Sequence, residues 1–244
     1  MKKLPILFFC FLLTSSIDAQ KIVNLVLVAD NGVTENIKEA HSFIVVKKYP
    51  DNFQRLDYKM RKPLQSLRSY SDSTLEVLQG NCYEYTANGR IAKSGFYQNN
   101  LKEKSWYYYN DTGKVILEEK FANGVLIERI NPDTIKKEEK VDDIKTVEEE
   151  ATFKKGDKDW IKYLEKNLNS DVAQNSVKGG EVRVGFVVDK NGKCIDIFLK
   201  KSVEFVLDEE AIRVIERSPL WHPAVQNGKI VNAYRIQPIT FAKQ

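Results

Sequence analysis

One hairpin, written twice, constrains this chain more than any other feature. Tyr83-Glu84-Tyr85-Thr86-Ala87-Asn88-Gly89-Arg90-Ile91 matches Tyr107-Tyr108-Tyr109-Asn110-Asp111-Thr112-Gly113-Lys114-Val115. At the same offset, both units run on into a second aromatic stretch and an Asn-rich turn: Phe96-Tyr97-Gln98-Asn99-Asn100, then Phe121-Ala122-Asn123-Gly124. An aromatic strand, a turn that uses glycine for positive φ and a returning strand make a β-hairpin. Hairpins stacked at a short fixed period build an extended antiparallel sheet. Phe43-Ile44-Val45-Val46, Phe53 to Tyr58 and Leu64-Gln65-Ser66-Leu67 look like further strands of the same meander. In such strands alternate tyrosines pack across their neighbours.

Composition then divides the chain. Residues 20–130 are rich in Tyr, Phe, Val and Ile. Residues 131–150 carry Lys, Glu and Asp with almost no aromatic side chain, so they bury too little apolar surface to fold alone and read as a charged linker. Residues 151–244 return to a core-forming pattern, and two independently folding domains are expected on either side of the linker. Residues 1–19 form an export leader: Lys2 and Lys3, an apolar stretch from Leu4 to Leu13, then small or polar residues up to Ala19, the last one removed. The apolar stretch is short of the roughly twenty residues a membrane span needs. Cleavage places the mature chain in the periplasm or cell envelope; retention makes the leader an inner-membrane anchor.

Several function classes drop out. The 38 basic and 34 acidic residues nearly cancel, and no concentrated basic run offers a phosphate-binding surface, which argues against nucleic acid as a partner. Cys82 and Cys194 fall in different regions and have no metal-ligand spacing, so two isolated thiols are expected and no metal. The two histidines, His41 and His222, have no nucleophile and orienting carboxylate in the pattern around them. There is no HExxH, Walker or GxSxG motif. The expectation is a non-enzyme with no catalytic residues and no cofactor.

The last region reads as helix, strand, strand, helix, strand. Trp160, Ile161, Leu164 and Leu168 set a helix over Asp157 to Asn169. Val182, Val184, Phe186 and Val188 alternate with Arg183, Gly185 and Val187 in a strand, which turns at Asp189-Lys190-Asn191-Gly192 and returns from Cys194 to Lys200. Leu207, Ala211, Val214 and Ile215 line a second helix whose first turn holds Asp208, Glu209 and Glu210, favourable to its dipole. Pro219 stops that helix and Ile230 to Phe241 supply a final strand. The fold class is therefore α+β: a small antiparallel sheet with two helices, preceded by an all-β meander.

Two resemblances attach to these residues. The paired hairpins of residues 80–127 resemble the MORN-like repeats of the YwqK-type antitoxin family, with Gly95-Phe96-Tyr97 keeping the return pattern and Glu119-Lys120-Phe121 departing from it. The second region resembles the C-terminal domain of the TonB family through Gly180-Glu181-Val182-Arg183-Val184, Phe186-Val187-Val188-Asp189, Leu207-Asp208-Glu209-Glu210-Ala211, Pro219 to Ala224, Asn227-Gly228-Lys229 and Gln237-Pro238-Ile239-Thr240-Phe241. That resemblance implies recognition of an extended peptide from the N-terminus of a TonB-dependent outer-membrane transporter, by strand addition to an open edge. The edge residues it implies are Val231, Asn232, Ala233, Tyr234, Arg235 and Ile236. Inner-membrane motor proteins are implied as further partners if the leader is retained. Read from the residues alone, the last strand either completes the sheet or pairs with a second copy in a homodimer. The alternative from the residues is an envelope scaffold that binds through the repeat sheet, without energy transduction. Trp221 is expected in the core.

Overall fold

The computed structural model describes residues 21–132, 149–154, 156–169 and 171–243. The leader (1–19) and most of the charged linker lie outside the described residues.

The meander expected from the repeats is present and longer than the repeats alone. Its ten strands are β1 (Lys21–Ala29), β2 (Gly32–Thr34), β3 (Ser42–Lys48), β4 (Phe53–Lys59), β5 (Leu64–Tyr70), β6 (Leu78–Tyr85), β7 (Ile91–Gln98), β8 (Leu101–Tyr109), β9 (Val115–Ala122) and β10 (Val125–Ile130). They form one antiparallel sheet, in the order β10-β9-β8-β7-β6-β5-β4-β3-β1-β2, so every pairing except that of β1 with β3 joins chain neighbours. Short turns dictate this, because a strand that reverses within a few residues can pair only with its predecessor. Alternation then assigns the faces. Phe43, Val45, Leu56, Tyr58, Leu64 and Leu67 are buried on one face. The opposite face carries polar networks, such as Arg55 and Ser66 on Asp57 and Arg129 with Tyr108 on Glu119.

The second unit contains α1 (Asp157–Asn167), α2 (Asp171–Asn175), β11 (Gly180–Val188), β12 (Cys194–Lys201), α3 (Phe205–Glu216), β13 (Ala224–Gln226), β14 (Lys229–Val231) and β15 (Ala233–Phe241). Its three-stranded sheet has the order β12-β11-β15, while β13 and β14 form a separate hairpin. The last strand expected from Ile230 onward is thus two elements that meet at Asn232. Val182, Val184, Phe186 and Val188 are fully buried on the helix-covered face of β11. Trp221 is buried against Phe153, Trp160 and Phe186, with ring centroids 5.1–5.5 Å away.

The two regions on either side of the linker share buried residues. One hydrophobic core runs from Phe43, Leu56 and Tyr58 of the meander into Leu207, Ala211 and Ile239 of the second unit. Phe205 sets its ring edge-on to both Phe43 and Tyr58, at 5.4 Å. Two of the three consecutive acids early in α3, Asp208 and Glu209, serve this junction. Asp208 is completely buried and accepts hydrogen bonds from Tyr58 Oη (3.1 Å), Ser202 Oγ (2.5 Å) and the Val203 amide (2.9 Å). Glu209 pairs with the buried Lys47 at 2.5 Å, and Glu210 with Arg213. The turn of the first repeat touches the second unit as well: Gly89 accepts from the Ser202 amide at 2.8 Å, and Arg90 bridges Lys201. Gly89 has φ +76°, and a Cβ there would lie 2.0 Å from the Ser202 carbonyl oxygen, so both backbone conformation and approach require glycine.

Candidate functional site

The site follows from which sheet edges remain open. In the three-stranded sheet β12 is one edge, and the Arg90–Lys201 bridge sets the repeat turn against its end. The other edge, β15, pairs with β11 from Ala233 opposite Val188 to Phe241 opposite Gly180, and no strand flanks its other side among the described residues. Unpaired N–H and C=O groups along such an edge are a template for another extended chain.

Pro238 sets the direction of the amides. It stands within β15, opposite Arg183, and has no N–H to give. Proline is tolerated in a sheet where its missing N–H would have faced the open side. Strand amides alternate in direction, so Tyr234, Ile236 and Thr240 share the outward parity of Pro238, while Arg235, Gln237 and Ile239 point their amides at β11.

Side chains alternate between faces in the same way. Ala233, Arg235, Gln237, Ile239 and Phe241 lie on the helix-covered face; Tyr234, Ile236, Pro238 and Thr240 are exposed on the other. Tyr234 is 50% exposed and Ile236 40%. Tyr234 stacks on Phe198 (6.1 Å between centroids), which stacks on Tyr83 of the meander (4.8 Å). Gly185 makes room beneath: a Cβ there would lie 2.7 Å from the Phe198 ring and 2.8 Å from Tyr234 Oη. Burial, with a contribution from the neighbouring Tyr109, pushes the Tyr234 phenol up to about 12. It therefore stays a neutral donor and acceptor across the ordinary pH range.

On the opposite face of the strand, Arg235 Nη1 makes an ion pair with Glu150, and Nε is buried with no hydrogen-bond partner among the described residues. Glu150 reaches Arg235 because the adjoining chain is tied down: Glu149 pairs with Val225, and Thr152 with His222.

Of the six edge residues named from sequence, Ala233, Tyr234, Arg235 and Ile236 come together on β15. Val231 ends β14, where it pairs with Ala224, and Asn232 joins the two strands. Sequence reasoning missed Glu150, hidden in a run of like charges, and the Tyr83–Phe198–Tyr234 stack, because nothing in the pattern of Tyr83 announces a partner so distant in the chain.

Other chemistry-bearing residues remain apart. His41 meets Asp30 at 3.3 Å, an acidic neighbour the sequence pattern did not suggest, but on an exposed turn. Cys82 and Cys194 are free thiols, each pushed up to about 11 by burial and so held protonated. Among the described residues no group of three or more His, Cys, Asp or Glu is arranged to hold a metal, and no helix is long and apolar enough to cross a membrane.

The open-edged β12-β11-β15 sheet, with α3 packed on it, lies in the part of the chain that a family comparison covers. Residues 170–242 match the Gram-negative bacterial TonB protein C-terminal family. The match spans β11, β12, α3 and β15, and with them the whole open edge. It leaves out the meander and α1, so the TonB C-terminal-like part is residues 170–242. No curated protein and no solved structure matches the chain.

Proposed function

We propose that this chain is an envelope protein that binds the N-terminal peptide segment of a TonB-dependent outer-membrane transporter by adding that peptide to the open edge of β15. The observation that carries this is the unflanked β15 edge inside the segment matched to the TonB C-terminal family. Strand addition takes its affinity from main-chain hydrogen bonds, so the site needs no catalytic group, metal or cofactor. The meander sets its first repeat turn at the end of β12, which favours addition at β15 over the opposite edge.

The meander and the TonB C-terminal-like unit, with the stretch 131–150 between them, then act as one body. Export to the periplasm follows from the leader, and retention of the leader would add an inner-membrane motor protein as a partner.

An alternative role as an interaction scaffold draws on a second edge. Val125, Leu126 and Ile127 on β10 are consecutive, apolar and exposed at the far end of the meander.

Titration of the isotope-labelled chain with a peptide from the N-terminal segment of such a transporter separates the two. Amide shifts at Tyr234 and Ile236 are expected. Shifts confined to β10, or a change of oligomeric state through β10, would overturn the β15 assignment in favour of the scaffold.

A further inference from the structure

We infer that the β15 edge reads side chains as well as backbone, and selects a strand with a carboxylate residue between two apolar ones, the carboxylate facing Arg235. The inference rests on strand addition at β15 and specifies the partner's chemistry. A strand laid beside β15 sets its own side chains alternately on the two faces. On the helix-covered face it meets Ala233, Arg235 and Gln237, of which Arg235 alone is charged. On the other face it meets Tyr234 and Ile236, both broadly exposed and apolar in body. An apolar residue, an acidic residue and a second apolar residue complement these three in order.

Arg235 is equipped for the central position. The guanidinium carries five donors, of which one, on Nη1, is engaged by Glu150, while Nε has no partner among the described residues. The Glu150 side chain is 71% exposed against 25% for Arg235, so the ion pair is anchored on one side only. Exposed pairs of this kind are weak and exchangeable. A carboxylate brought in by a hydrogen-bonded strand is positioned by that strand, and can take two donors where Glu150 takes one. Glu150 then acts as an intramolecular stand-in for the partner's acidic residue, holding the guanidinium until it arrives. A lysine at the same place would set like charges side by side and be rejected.

The test uses three blocked peptides, acetyl-Thr-Thr-Val-X-Val-Thr-Thr-amide with X as Asp, Asn or Lys, titrated into the chain at low salt. The Asp peptide is expected to bind about tenfold more tightly than the Lys peptide, with Asn between them, and the ratio to fall as salt rises. Arg235→Gln should bring the Asp-to-Lys ratio close to one, Arg235→Lys should restore part of it, and Glu150→Gln should tighten the Asp peptide several-fold by removing the competitor. Equal affinities for all three peptides, with amide shifts at Tyr234 and Ile236, would overturn the charge reading and leave strand addition standing. Absence of shifts on β15 with every peptide would overturn both.

Discussion

Tyr58 donates its hydroxyl to the fully buried carboxylate of Asp208 at 3.1 Å, and so ties the middle of the meander to the first turn of α3. That single bond joins residues on opposite sides of the charged stretch 131–150. It sits among the Phe43, Tyr58 and Phe205 rings, where a carboxylate can remain only if donors surround it.

The first prediction concerns pH. Burial raises the Asp208 carboxyl from 3.8 to about 7, against the opposing pull of its hydrogen bonds from Ser202, Val203 and Tyr58. The folded state therefore holds this proton more tightly than the unfolded state does. The resulting contribution to stability is complete below about pH 4 and is lost as pH rises to about 7. At about 1.4 kcal/mol for each pKa unit, the loss is on the order of 4 kcal/mol. Urea midpoints should fall between pH 4 and 7 in the natural chain, and Asp208→Asn should flatten that fall. An equal slope in both proteins would show that Asp208 is ionised throughout.

A second prediction follows from the shared core. With a protease site inserted within 133–148 and cut, the two fragments should stay together and elute as one species in native buffer. Gly89→Ala, which drives a Cβ against the Ser202 carbonyl, should weaken that association. Two fragments that separate at once and each melt cooperatively would instead show independently folding domains.

Trp221 supplies the third. Its indole is buried, touches Phe153, Trp160 and Phe186, and donates from Nε1 to Ser218 Oγ at 3.0 Å. Trp221→Ala should cost about 3–5 kcal/mol by denaturant titration. A loss below about 1 kcal/mol would mean that the surrounding rings collapse into the space, as few cores do.

What could be read from the sequence was periodic and local. The repeat turns at Gly89 and Gly113 announce their hairpins, because positive φ at a fixed spacing has few other uses. Val182 to Val188 announce a half-buried strand. The junction between the units was not legible, because Phe43, Tyr58 and Tyr83 show that one face is apolar without showing what covers it. Asp208 looked like an ordinary first-turn acid, since burial of a carboxylate depends on donors that arrive from distant strands. At the open edge the proline was visible, but its meaning needed the register opposite β11. The parity of Pro238 within that register puts the outward amides at Tyr234 and Ile236.

The most direct test is transporter-peptide binding by Ile236→Pro. The outward parity of Pro238 gives Ile236 an amide that faces the open edge, so its loss should spare the pairing with β11. The variant should melt close to the natural chain and bind the peptide at least about tenfold more weakly, having lost a main-chain hydrogen bond and gained a ring in the path of the added strand. A folded Ile236→Pro chain that binds as the natural chain does would contradict recognition at β15. An unfolded one would contradict the assigned direction of its amides.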